Sequence, residues 1–140
     1  MSKAAVVYWS GTGNTQAMAQ AVADGAEQAG AQVSLFEAAD FSNDLVGEYD
    51  AIAFGCPSMG CEELEDSEFQ PMFDSVKDSL SGKKIALFGS YGWGDGEWMR
   101  TWQSDIEAAG IQLVADGLIC NEAPDDEAVN KCVELGKMLA

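Results

Sequence analysis

The chain has 140 residues, 47% of them hydrophobic and 22% charged, which suits one domain with a proper core spanning 1–140. Twenty-four Asp and Glu against seven Lys and Arg give a net charge of −17, which argues against nucleic acid and anionic membranes as partners. Histidine is absent, so imidazole bases, His-containing triads and imidazole metal ligands are excluded.

An apolar strand is expected at 4–9, running straight into Ser10-Gly11-Thr12-Gly13-Asn14-Thr15. A helix follows at 14–29, with Met18, Ala21, Val22, Gly25 and Ala29 at helical spacing on one face. A strand, a small polar loop and a helix start make a phosphate site. The first N–H groups of a helix lack internal acceptors, and the helix dipole favours an anion there. Ser10, Thr12, Asn14 and Thr15 add side-chain donors, and the two glycines admit close approach. The loop lacks the Gly-Lys-Ser/Thr of a Walker loop, and Gln16 stands where a dinucleotide fingerprint needs a third glycine. Lys and Arg are absent from 4–76, so a phosphate here is held by neutral dipoles, which suits a monoester cofactor.

Val33-Ser34-Leu35 alternates as a strand near a sheet edge does. The apolar run 50–56 is the next strand, followed by the loop Pro57-Ser58-Met59-Gly60-Cys61-Glu62. A helix is expected at 69–80, with Phe69, Phe73, Val76 and Leu80 on one face. The run 84–89 is a further strand, followed by the glycine-rich, aromatic loop 90–98. A helix at 98–109, a strand-like 111–120 broken by Asp116-Gly117, and a helix at 125–140 complete the chain. Alternating strands and helices predict a parallel sheet covered on both faces, a doubly wound α/β sandwich whose ligand lies beyond the carboxyl ends of the strands.

An exposed Trp93 between glycines reads as a contact residue, and Met59 offers a polarizable face to a ring. Trp9 and Trp102 read as packing. Cys56, Cys61, Cys120 and Cys132 form no metal-ligand spacing, and no metal is expected. No apolar run is long enough for a membrane span, and Met-Ser-Lys leading into a strand is not a signal peptide, so the expected location is the cytoplasm.

Three motifs together, 8–15, Met59-Gly60-x-Glu62 and 90–97, resemble the flavodoxin family, and the chain looks like its short-chain type from anaerobic bacteria over essentially its whole length. The resemblance implies a three-layer sandwich with a five-stranded parallel sheet in the order 2-1-3-4-5. It also implies FMN as cofactor and no catalytic residues, in an electron-transfer protein and not an enzyme. By resemblance Ser10, Gly11, Thr12, Gly13, Asn14 and Thr15 hold the phosphate, with Ser58 beside them. Met59 and Trp93 cover the inner and outer ring faces, and Glu62 accepts from the flavin N3–H. Ser90, Tyr91, Gly92 and Gly94 form a second wall, with Asn121 near the ring. Gly60 permits a peptide flip toward the flavin N5, and Cys61 departs from the small polar or acidic residue expected there.

The implied function is low-potential one-electron transfer between semiquinone and hydroquinone in place of ferredoxin. A two-electron FMN reductase of a small substrate such as a quinone is the alternative. The implied partners are basic faces of enzymes such as pyruvate oxidoreductase, hydrogenase or flavodoxin reductase, met by a monomer. The acidic run Glu62-Glu63-Leu64-Glu65-Asp66-x-Glu68 is either a docking rim for such a face or a solvated loop and helix start.

Overall fold

The computed structural model describes residues 2–11, 13–59, 63–92 and 94–140. Thr12, Gly60, Cys61, Glu62 and Trp93, all singled out above, lie outside the described residues.

Five apolar segments become strands: β1 (Lys3–Tyr8), β2 (Gln32–Glu37), β3 (Ala51–Gly55), β4 (Lys84–Tyr91) and β5 (Leu118–Asn121). They pair in parallel in the order β2-β1-β3-β4-β5, with Val6 opposite both Leu35 and Ala53, and Phe54 opposite Leu87. This is the order expected from the resemblance. β3 is central and every one of its residues is buried, which is why it reads as an unbroken apolar run. β2 is an edge strand with no fully buried residue, exposed at Gln32, Leu35 and Glu37, so the apolar–polar alternation of 33–35 marks an edge but not a buried face.

Five α-helices cover the sheet: α1 (Asn14–Gln28), α2 (Asn43–Val46), α3 (Phe69–Val76), α4 (Glu97–Ala108) and α5 (Asp126–Lys137). Successive strand residues point to opposite faces, so the core divides in two. Ala4, Val6, Ala51, Ala53 and Ala86 face α1 and α5. Ala5, Val7, Ile52, Phe54, Ile85 and Leu87 face α3 and α4, whose Phe69, Phe73, Trp98 and Trp102 are large. Small side chains on the first face let α1 and α5 approach closely. A Cβ on Gly25 would lie 2.0 Å from the Val133 carbonyl oxygen, and one on Gly136 would lie 1.9 Å from that of Val22.

The structure moves several expected boundaries. The first helix ends at Gln28, so Ala29 is its exposed C-cap and the buried position is Ala26. The helix after β3 tightens to a 3-10 turn over Lys77–Ser79. Within 111–120 only Leu113 pairs before Asp116-Gly117, as an isolated bridge to Ile85, and β5 begins at Leu118. The helix α2 and the 3-10 turn Ala38–Asp40 carry no helical periodicity long enough to be read. Among the described residues no helix is long and apolar enough to cross a membrane.

Candidate functional site

β2 and β3 leave β1 on opposite sides, and the sheet opens a crevice beyond the carboxyl ends of its middle strands. A cleft of about 570 Å³ occupies that position, within the usual range for a small-molecule site. The loops around it are fixed by hydrogen bonds that continue the sheet ladder. The Trp9 N–H donates to the Gly55 carbonyl at 3.0 Å, Cys56 to Phe88 at 3.1 Å, and Ser58 to Ser90 at 3.1 Å.

The first wall is the loop into α1. Gly13 is its N-cap at φ 95°, a left-handed conformation that glycine adopts without strain. The Gly13 N–H donates to Ser10 Oγ at 3.0 Å, which closes the loop and leaves the Ser10 proton free to donate. Thr15 is 1% exposed, and its Oγ1 accepts from the Ser90 N–H at 3.4 Å, tying this wall to the third. Ser10, Gly11, Asn14 and Thr15 line the cleft, whereas Gly13 works within the loop.

The second wall is the loop after β3. Ser58 and Met59 line the cleft. Ser58 Oγ is buried with no hydrogen-bond partner, an orphan that a bound polar group would satisfy. Met59 is 36% exposed, an apolar face left open on the cleft. Its N–H and C=O exchange hydrogen bonds with Glu63 at 2.8 and 2.9 Å, which pins the loop at that point.

The third wall follows β4. Ser90, Tyr91 and Gly92 line the cleft. Ser90 is 4% exposed, and its hydroxyl donates to the Glu122 carbonyl at 2.7 Å, so it braces the next loop. The Tyr91 ring packs on Trp98 at 5.6 Å, and the Tyr91 carbonyl accepts from the Glu122 N–H. Gly94 and Asn121 are not among the described lining residues. The Asn121 amide instead donates to the Tyr91 carbonyl at 3.3 Å, bracing the wall from behind.

Four lining residues were missed: Trp9, Pro57, Glu122 and Ala123. Trp9 extends an apolar run and reads as core, yet its indole N–H crosses to Glu68 Oε1 at 3.1 Å. Glu122 has φ 56°, the one left-handed non-glycine residue among those described, and that strain arises from the Ser90 and Tyr91 bonds and not from its own sequence.

The acidic run is not uniformly solvated. Glu65 is 5% exposed, and its carboxylate accepts from the N–H groups of Ser67, Glu68 and Phe69 at 2.8 Å and from the Ser67 hydroxyl. Burial pushes the Glu65 carboxyl up, but these donors outweigh it and hold the group below the ordinary glutamate range. Cys56 Sγ accepts from the Glu65 N–H at 3.3 Å, and burial pushes that thiol up to about 12. Cys56, Cys120 and Cys132 are free thiols, and among the described residues no group of acidic, Cys or His side chains could hold a metal.

The sequence matches the family model described as Flavodoxin over residues 6–136. It is 44% identical to a flavodoxin of Clostridium beijerinckii, over 96% of this chain and 97% of the relative. It is 46% identical to a flavodoxin of Megasphaera elsdenii, over 96% of each. The solution structure of that two-electron-reduced Megasphaera elsdenii flavodoxin superposes with a TM-score of 0.88, covering 97% of both chains.

Proposed function

Because this chain belongs to the flavodoxin family, whose members are FMN-bound electron carriers and not enzymes, we propose that FMN sits in the cleft and serves low-potential one-electron exchange with redox enzymes. The observation that carries this is the match of the cleft to the cofactor's two ends. One end offers hydroxyls and the N-terminus of α1 without any cation, which suits a phosphate monoester. The other offers the exposed Met59 face, and the orphan Ser58 hydroxyl is a further polar group in the cleft, beside the phosphate by resemblance. FMN, when bound, supplies the redox chemistry, and the protein supplies binding, orientation and electrostatics.

In this reading Ser10, Asn14 and Thr15 donate to the phosphate, with Thr12 joining them by resemblance. Met59 lies against one ring face, and Tyr91, Gly92, Glu122 and Ala123 line other parts of the same cleft. Ser90 and Thr15 keep the walls at fixed separation, so little reorganisation accompanies a change of charge in the cleft.

The partner face is basic in this proposal. Residues 4–76 hold thirteen Asp or Glu and no Lys or Arg, whereas Lys3, Lys83 and Lys84 stand at the amino ends of the strands or just before them, away from the cleft. Such asymmetry orients a cationic partner toward the cleft and speeds encounter. The proposed setting is the cytoplasm, where free thiols persist, and the proposed state is a monomer.

Stopped-flow mixing of the reduced protein with a basic one-electron acceptor tests the reading. Reduction should be fast at low salt and fall steeply as ionic strength rises. Turnover of NAD(P)H with a quinone by the isolated protein would establish the two-electron reductase instead.

A further inference from the structure

The loop that carries Met59 leaves β3 at Cys56 and folds back against Cys56 at Glu65, before α3. Cys56 itself is held from three sides. Its N–H donates to the Phe88 carbonyl at 3.1 Å, its carbonyl accepts from the Trp98 indole at 3.1 Å, and its side chain is wholly buried. Its thiol faces both limbs of the loop. The S–H lies 3.5 Å from the Pro57 carbonyl oxygen on the outgoing limb, and Sγ accepts from the Glu65 N–H at 3.3 Å on the returning limb.

The returning limb is anchored a second time, by the Glu65 carboxylate on the first N–H groups of α3. Between these anchors the paired Met59 and Glu63 flank residues 60–62. The Glu65 N–H is buried, so removing its sulfur acceptor leaves a polar group with neither a partner nor water. Neutrality of the thiol matters, because only the protonated form offers a donor to Pro57 while accepting from Glu65. Its burial keeps it in that form.

The geometry points to Cys56 as a positioning residue for the cofactor loop: its thiol joins the two ends of 57–64 and so sets where Met59, paired with Glu63, stands against the cleft. This rests on the reading that FMN occupies the cleft. Cys56 touches no cofactor atom in this account and acts through the loop. Serine at this position restores a donor and acceptor, but its shorter bond to Cβ reaches less far, so it replaces the thiol only in part.

Amide hydrogen exchange and FMN binding in Cys56→Ala and Cys56→Ser test this. In the apoprotein of Cys56→Ala, the amides of Met59, Glu63 and Glu65 should exchange about tenfold faster than in the wild type, the ratio for one lost hydrogen bond. Val6 and Leu87, in the sheet, should keep their protection. The FMN dissociation constant should rise by about tenfold, with Cys56→Ser between the two. Unchanged exchange at Met59, Glu63 and Glu65 would overturn the assignment. So would equal acceleration at Val6 and Leu87, which marks general destabilisation. A wild-type protein that binds no FMN would overturn the cofactor reading alone, and the exchange pattern would still decide the role of Cys56.

Discussion

Glu65 is a carboxylate in an exposed-looking acidic run that works as a buried cap. Three backbone N–H groups and one hydroxyl converge on it, so its charge is solvated by the start of α3. Glu65→Ala should cost about 2 kcal/mol by urea unfolding of the apoprotein, the usual value of a charged cap with several donors. The sign of the pH dependence follows from the lowered folded-state pKa. The contribution is complete above the unfolded glutamate value of about 4.3 and is lost as pH falls through the lower folded value. The stability gap between wild type and Glu65→Gln should therefore be wide at neutral pH and narrow in acid. A gap independent of pH would show that the charge plays no part. None of this is legible in the sequence, where Glu65 sits among Glu62, Glu63, Asp66 and Glu68 and differs only in where the backbone turns. The same holds for Glu122, whose left-handed backbone is set by contacts with Ser90 and Tyr91. That Ser10, Asn14, Thr15, Met59 and Tyr91 line a cleft was legible, because hydroxyls, amides and large side chains in a glycine-rich loop have little structural reason to be there.

At the scale of elements, the strands with both faces covered were the easiest to read, since burial on each side leaves a continuous apolar run in β1, β3 and β4. β5 was misplaced because Ile111 and Leu113 are apolar for packing on the sheet without belonging to it. The short α2 buries only Val46, too little for a periodic signal. Trp9 was read as packing because it continues β1, yet it lines the cleft and its indole N–H donates to Glu68, just before α3. The pairing of α1 with α5 is an element-scale property that a single methyl tests. A Cβ at Gly136 would overlap the Val22 carbonyl oxygen, a backbone atom that gives way only if the helices separate. Gly136→Ala should lower the stability by about 3 kcal/mol, at the upper end for overpacking, although alanine has the better helix propensity. A change under about 1 kcal/mol in thermal unfolding would mean that the two helices slide apart at little cost.

At the scale of the whole molecule, the sheet order, the loops that bind at its carboxyl edge and the uneven charge converge on one use. The order β2-β1-β3-β4-β5 opens the crevice, and the small polar loop before α1 and the loops after β3 and β4 line it. A charge of −17 with no Lys or Arg between residues 4 and 76 surrounds it with like charge. An anionic reduced cofactor in such a cleft is disfavoured by like charge and low dielectric, so its electron is given up readily. The visible spectrum of the FMN-loaded protein during stepwise anaerobic reduction tests this most directly. Two separate one-electron stages are expected, with a distinct one-electron-reduced spectrum at its maximum near half reduction and the second stage at the lower potential. A single two-electron bleaching, or no retention of FMN, would contradict it.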